Sequence, residues 1–432
     1  MKLKHVITIF FVVFLFTMSF SDAFCKQQAE AGNTPWYKDL IFRDESFVFE
    51  FIRVIGLAGC GGADFGESVA TVKRIKDSDE ESWYDEWLAT ADHVFAFAQD
   101  CENKGHYHSA SEAYLRASCY YRSAGFYMDA PENRHKSIQA WMKSRNSFLL
   151  AAKDMPFVKP VRIPYGNTTM PGYFIMADTT KKKAPLLIAH TGFDGTGEEM
   201  VITFARAARS RGYNLLVFEG PGQGEMLRVQ NIPFRYDWEN VVTPVVDFAM
   251  TQPGVDTKRI ALMGISFGGY LAPRAAAFEH RIKACIANGG IYDFGEGVWD
   301  KMPKDLVFLA DKDPEKFNQV MFEVMKESTT IRWALNHGMW VFGKDNPAGY
   351  FKEVRKYTLA GVAEKIKCTT LVVDSSNDMF FPGQAVKLYN ALTCSKSFYE
   401  FTGDYAADLH CQVGAVAYSN AVIFNWLDDI LK

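Results

Sequence analysis

None of the eight cysteines forms a C-x-x-C pair. That absence removes thioredoxin-like redox chemistry and simple zinc-ribbon sites, and no metal or cofactor is expected. Basic charge is not in excess either: 47 Lys and Arg stand against 51 Asp and Glu, a formal net charge of −4. A nucleic-acid binder needs a concentrated basic surface, so that class is excluded. Beyond the N-terminus no apolar run reaches the roughly 20 residues of a membrane-spanning helix. No clean period of about 34 residues marks a helical repeat array. The only Gly-rich loop resembling a phosphate cradle, Gly220-Pro221-Gly222-Gln223-Gly224, lacks the Lys-Ser/Thr of a P-loop. It reads as a shaped turn beside a pocket.

What is abundant is apolar. Hydrophobic residues make up 48% of the chain and charged residues 23%, enough for a large core and too little charge for global disorder. Aromatics reach 15%, with 35 Phe, 19 Tyr and 9 Trp. That excess suits an aromatic-rich core and an apolar pocket equally. Cys285 and Cys368 sit in apolar strand-like runs, where buried free thiols are expected.

The N-terminus has the pattern of a secretory signal. Lys2, Lys4 and His5 precede the apolar run Val6–Met18, and Ser21-Asp22-Ala23 supplies small residues before a cleavage point. Cleavage after Ala23 and a secreted or periplasmic location are the expectation; an uncleaved N-terminal anchor is the second reading. Bulky Phe24 before Cys25 spoils a lipoprotein pattern.

Residues 24–155 carry helical spacing. Trp83, Trp87, Ala91, Val94, Phe95 and Ala98 recur at three- and four-residue steps, as do Ala110, Ala113, Tyr114, Ala117, Tyr120, Tyr121 and Ala124. Gly59-Cys60-Gly61-Gly62 breaks this region. From residue 156 the pattern changes to short β-rich runs alternating with helices: 157–163, 172–176, 185–190, 213–219, 259–264, 283–288, 369–374 and 397–402. The first two read as a hairpin turning at Gly166-Asn167. The rest imply a mostly parallel sheet covered on both faces. Residues 291–367 form a helical insertion after the sixth run, expected to sit over the strand ends as a lid.

Directly after the fifth run stands Gly264-Ile265-Ser266-Phe267-Gly268-Gly269. Glycines two residues to either side of Ser266 permit a sharp strand-to-helix turn that lifts the hydroxyl clear of the sheet. A serine nucleophile needs a base, and the base needs an orienting acid. With the chain order Ser, acid, His, only His410, beyond the eighth run, fits as base. Asp378 in the loop after the seventh run is the acid, with Asp374 as second choice. Asp404 and Asp408 lie too near His410 in sequence and are expected to be solvated. The backbone N–H of Phe267 and that of Phe193, with Gly192 as the alternative, would receive an oxyanion. His190, at a strand end, suits a structural role. Trp299, Trp333, Trp340 and Phe342 of the insertion are candidate pocket walls.

Eight strands with a serine turn after the fifth match the α/β-hydrolase order. The run Gly264-x-Ser266-x-Gly268-Gly269-Tyr270-x-Ala272-Pro273-Arg274 resembles one branch of that fold. So do Gly192-x-Asp194-Gly195 with Glu199, Gly220-Pro221-Gly222-Gln223-Gly224-Glu225, Asn377-Asp378, Pro382-Gly383-Gln384-Ala385 and His410-Cys411-Gln412. That branch holds the fungal pigment polyketide-shortening hydrolases, 2,6-dihydroxypseudooxynicotine hydrolase and the FrsA-like esterases. The resemblance implies a helical N-terminal cap, a Ser266–His410–Asp378 triad and cofactor-free hydrolysis of an ester or a carbon–carbon bond in a small molecule. Carbon–carbon hydrolases of the group use a further acidic residue at the substrate, for which Asp293 and Glu296 are the candidates. A peptidase of the same superfamily and a non-catalytic binding protein are the competing readings, and a homodimer is left open.

Overall fold

Residues 40–178 and 182–432 are described by a computed structural model; the signal-like segment lies outside the described residues. The chain opens with helices α1 (Glu45–Gly56), α2 (Phe65–Val72), α3 (Glu80–Asn103), α4 (Tyr107–Ala124) and α5 (Arg134–Ala151). Asp44, Asp64 and Asp79 cap the first three by accepting backbone N–H groups of the first turn, each such cap contributing about 1 kcal/mol. Trp83, Trp87, Ala91, Tyr114, Ala117 and Tyr120 are buried together as the core of this helical region.

The sheet strands are β1 (Val158–Tyr165), β2 (Thr168–Ile175), β3 (Ala184–His190), β4 (Asn214–Phe218), β5 (Val255–Ile265), β6 (Ala284–Asn288), β7 (Thr369–Ser375) and β8 (Lys396–Phe401). Their spatial order is β1-β2-β4-β3-β5-β6-β7-β8. β1 and β2 form the expected hairpin, Tyr165 facing Thr168 across Gly166-Asn167. β2 runs antiparallel to β4 and every later pairing is parallel. The central strands are apolar throughout because both faces are covered. Leu186, Ile188, Ile260 and Leu262 point to one face, Leu187, Ala189, Ala261 and Met263 to the other, as the two-residue period demands.

Helices α6 (Gly197–Ser210), α7 (Gly224–Arg228), α8 (Glu239–Thr251) and α9 (Gly268–Ala276) follow β3, β4 and β5. Five helices then fill the stretch between β6 and β7: α10 (Phe294–Trp299), α11 (Lys304–Lys312), α12 (Pro314–Glu327), α13 (Thr329–Val341) and α14 (Pro347–Val354). The chain ends with α15 (Gln384–Ala391), β8 and α16 (Val416–Leu431). α6 and α16 cover one sheet face; α8, α9 and α15 cover the other. The insertion and the N-terminal helices meet directly. Trp333 of α13 stacks on Phe126 at 4.8 Å between centroids, and Arg332 pairs with Glu80 at 2.9 Å. No helix among the described residues is long and apolar enough to cross a membrane.

Candidate active site

Ser266 sits at the β5–α9 turn with φ +61°, a conformation that costs a non-glycine residue roughly 1–3 kcal/mol. Backbone contacts hold it there. Its N–H donates to Asn288 O at 2.8 Å, and its carbonyl accepts from Gly269 N–H at 2.7 Å. The flanking glycines are obligatory for reasons of space: a Cβ on Gly264 would lie 2.0 Å from Gly268 O, and one on Gly269 would lie 2.2 Å from Gly289 O.

From Ser266 a hydrogen-bonded chain runs inward. Its Oγ is 2.8 Å from His410 Nε2, and His410 Nδ1 is 2.6 Å from Asp378 Oδ2. Asp378 Oδ1 accepts from Phe380 N–H at 2.8 Å and Phe381 N–H at 3.1 Å. Burial opposes the charged form of both groups, but each outweighs burial for the other. His410 is held well above the ordinary histidine value and Asp378 below the ordinary carboxylate value. With Asp378 on Nδ1, Nε2 is the nitrogen free to take a proton from Oγ.

Asp374, the second-choice acid, turns instead to Ser375 N–H, and burial raises it to about 6. Asp408 departs from the solvated role expected of it: it is buried and accepts from Asn377 Nδ2, while Asn377 N–H donates to Asp408 O at 2.9 Å. It ties the acid loop to the base loop. Gln412 ties the base loop to the serine turn. Its Nε2 donates to Ser375 Oγ and its Oε1 accepts from Asn288 Nδ2, both at 3.0 Å.

The loop after β3 packs against the serine turn so closely that a Cβ on Gly192 would stand 2.5 Å from Phe267 N. Phe193 lines the cavity beside Ser266, which brings the two loops expected to supply oxyanion donors together. Gln223, from the Gly-rich loop after β4, pins the carbonyls of Thr191 (2.7 Å) and Gly192 (3.1 Å). That loop is the shaped turn anticipated from sequence. His190 is buried, bonded through Nδ1 to Thr191 O at 2.8 Å, and lowered by burial to about 4; it has no contact with Ser266.

A second set of residues supports the Phe193 loop, and sequence reasoning missed its centre. Arg53 of α1 reaches across to this loop and to α6. Its Nε and Nη2 each lie 2.7 Å from the Glu199 carboxylate, and its Nη1 lies 2.6 Å from Asp194 and 3.1 Å from Glu50. Arg122 completes the cluster with a 3.1 Å bond to Glu50. Burial works against the Asp194 charge, yet Arg53 lowers it to about 2. His337, which chain order had set aside, lies between Asp129 (Nδ1, 2.6 Å) and the Phe193 carbonyl (Nε2, 2.9 Å). Asp194 and Glu199 were visible as motif residues, but nothing local marked Arg53, about 140 positions away.

The cavity in front of Ser266 has a volume of about 280 Å³, and Phe49, Phe126, Phe294, Phe380 and Trp333 are among its walls. Of the four aromatics expected there, only Trp333 lines it. Trp299 packs on Phe351 at 5.0 Å and donates to its carbonyl. Phe342 is enclosed by Phe234, Phe193 and Tyr357. Trp340 lies under the Arg134 and Arg228 guanidinium groups. These three stabilise the insertion. Asp293 caps α10, and Glu296 pairs with Lys387 at 2.7 Å; neither lines the cavity.

Comparison with known proteins agrees with this architecture. Residues 71–295 match the FrsA-like esterase family, and residues 243–391 match the C-terminal domain of BAAT and acyl-CoA thioester hydrolases. The 20-hydroxy-prefusarin hydrolase FUS2 of Gibberella moniliformis is 34% identical over 414 residues, covering 90% of this chain and 97% of its own. Hydrolase acrC of Aspergillus aculeatus is 33% identical over 416 residues with the same coverage of 90% and 97%. Among solved structures, 2,6-dihydroxy-pseudo-oxynicotine hydrolase superposes with a TM-score of 0.68 at 21% identity, over 87% of this chain and 95% of that one. The chain is therefore a hydrolase of the α/β-hydrolase superfamily and belongs to the FrsA-like esterase family.

Proposed function

We propose that this protein is a serine hydrolase acting on a small acyl or ketone substrate, with Ser266 as nucleophile, His410 as general base and acid, and Asp378 as the orienting group. The observation that carries the reading is the unbroken Ser266–His410–Asp378 hydrogen-bond chain at the wall of an apolar cavity. Ser266 Oγ attacks the substrate carbonyl as its proton passes to His410 Nε2. The resulting oxyanion is received by the Phe267 and Phe193 N–H groups. Collapse of the tetrahedral adduct breaks the bond to the leaving group, an alkoxide for an ester or an enolate for a β-diketone, and His410 returns the proton to it. Water, deprotonated by the same nitrogen, then releases the acid and restores Ser266. Asp378 does not itself take the proton; it stabilises the imidazolium.

A site walled by the N-terminal helices and the insertion favours small substrates over polymers, which is what distinguishes this reading from a peptidase. A fluorophosphonate probe should label the wild type at Ser266 and fail to label Ser266→Ala. Turnover of p-nitrophenyl esters, tested beside β-diketones, should vanish in that variant with melting unchanged. Near-wild-type turnover in Ser266→Ala would sink the assignment. We also propose that the chain is exported with cleavage after Ala23. Sequencing of the mature N-terminus should then begin at Phe24, and an intact Met1 in a membrane fraction would instead establish an anchor.

A further inference from the structure

The cavity holds two cationic side chains, Arg53 and Lys301. Arg53 is spent on three carboxylates. Lys301 is different. Its Nζ donates to the Met379 carbonyl at 3.0 Å and lies 5.7 Å from the centre of the Phe381 ring. Among the described residues no carboxylate stands within ion-pairing distance of it. An ammonium has three donors, and one is used. Lys301 lines the cavity together with Phe381 and His410, whose rings lie 6.2 Å apart between centroids, which places it on the acid-loop side of the triad. Burial lowers Lys301 to about 8, with Asp378 pulling the other way. At neutral pH a charge is therefore kept in a largely apolar wall with no carboxylate bonded to it directly. A structural clamp on one carbonyl does not require a charge, and desolvating one is costly.

We propose that Lys301 selects substrates bearing an anionic oxygen, a carboxylate or the enolate of a β-dicarbonyl, and pairs with that oxygen in the cavity. The proposal rests on the reading of this cavity as the substrate site. It deepens that reading by naming a substrate class.

The test is equilibrium binding by calorimetry in the Ser266→Ala background, which removes turnover. The probes, all at pH 7, are 4-phenylbutyrate with its neutral isostere 4-phenylbutanamide, and dimedone, a β-dicarbonyl acidic enough to be an enolate at that pH, with its neutral methyl enol ether. The anionic form should bind about tenfold more tightly than the neutral one, the scale of one charge-assisted hydrogen bond. Lys301→Gln keeps a donor for the Met379 carbonyl but loses the charge, and should bring the ratio to about one. Lys301→Arg should restore most of it. A preference confined to the carboxylate or to the enolate identifies which anion the site takes. A wild-type ratio near one, or a ratio that survives Lys301→Gln, overturns the proposal. Melting curves of the variants establish that each is folded. Fluorophosphonate labelling of the Ser266-containing wild type reports separately on the nucleophile, so either idea can fail alone.

Discussion

Replacing Arg53 by Met is the sharpest test of how the helical region supports the site. In the wild type two guanidinium groups face three carboxylates, Glu50 buried and Asp194 and Glu199 mostly so: Arg53 bonds all three, while Arg122 bonds Glu50 alone. Without Arg53, Asp194 and Glu199 lose the ion-pair partner they share. Breaking a buried pair by removing one member typically costs about 3–5 kcal/mol. An independent bound comes from protonation, the molecule's way out. Neutralising one aspartate at pH 7 against a reference value near 3.9 costs about 4 kcal/mol at 1.36 kcal/mol per unit, so the two estimates agree. The sign with pH follows. Asp194 is depressed to about 2 in the folded wild type, so its stabilisation is present above the unfolded value near 3.9 and is lost as pH falls toward 2. In Arg53→Met protonation becomes cheaper as pH falls. The gap between wild type and variant should therefore be largest at pH 7 and narrow steadily toward pH 4. Urea unfolding at pH 7, 5.5 and 4.5 reads this directly, and a cycle with Glu199→Gln isolates the pair. A loss below about 1 kcal/mol at pH 7, or one that does not change with pH, would refute the reasoning.

Asp378→Asn should lower kcat by roughly 10⁴-fold with the fold intact, because the amide favours the wrong histidine tautomer; loss of only a few-fold would return Asp374 to consideration. The pH profile of kcat/KM for a neutral ester should rise through a midpoint above the ordinary histidine value of about 6.5, because Asp378 favours the imidazolium that must lose its proton before acting; a midpoint below that value contradicts the pairing. Trp333 and Phe342 should separate by assay. Trp333→Ala, on the cavity wall, should raise KM. Phe342→Ala, inside the aromatic core, should cost about 3–5 kcal/mol of stability with little change in KM.

Why the sheet was legible and the cap contacts were not comes down to range. The central strands advertised themselves as apolar runs, and the order of serine, acid and base was enough to bring Ser266, Asp378 and His410 to one end of the sheet. Gly264 and Gly269 marked the turn because the backbone there leaves no room for a Cβ. Periodicity also found α3 and α4, whose tryptophans and alanines pack on each other. Periodicity does not say which of several aromatics on a helix faces a hole. Trp333 and Trp340 both stand on α13, seven residues apart, yet one stacks on Phe126 at the cavity and the other lies beneath two arginines. The choice is made by a separate segment, the N-terminal helices, arriving from more than 200 positions away. Separations of about 140 to 210 positions likewise hid Arg53 and the place of His337.

Those two residues carry a consequence for how the parts of the molecule act together. The Phe193 loop is held from three sides, by Gln223 from the loop after β4, His337 from the insertion and Arg53 from the first helix. Each support comes from a different element of the chain. A cap that merely shielded the cavity from water would need apolar contact with the core and no buried ions. Instead α1 commits an arginine to the residue next to Phe193 and to the start of α6. Displacing the N-terminal helices would therefore do more than open the cavity: it would take Arg53 from Asp194 and Glu199 and remove one of the three supports of the Phe193 loop. In this architecture the N-terminal helices both wall the cavity and brace the loop beside Ser266.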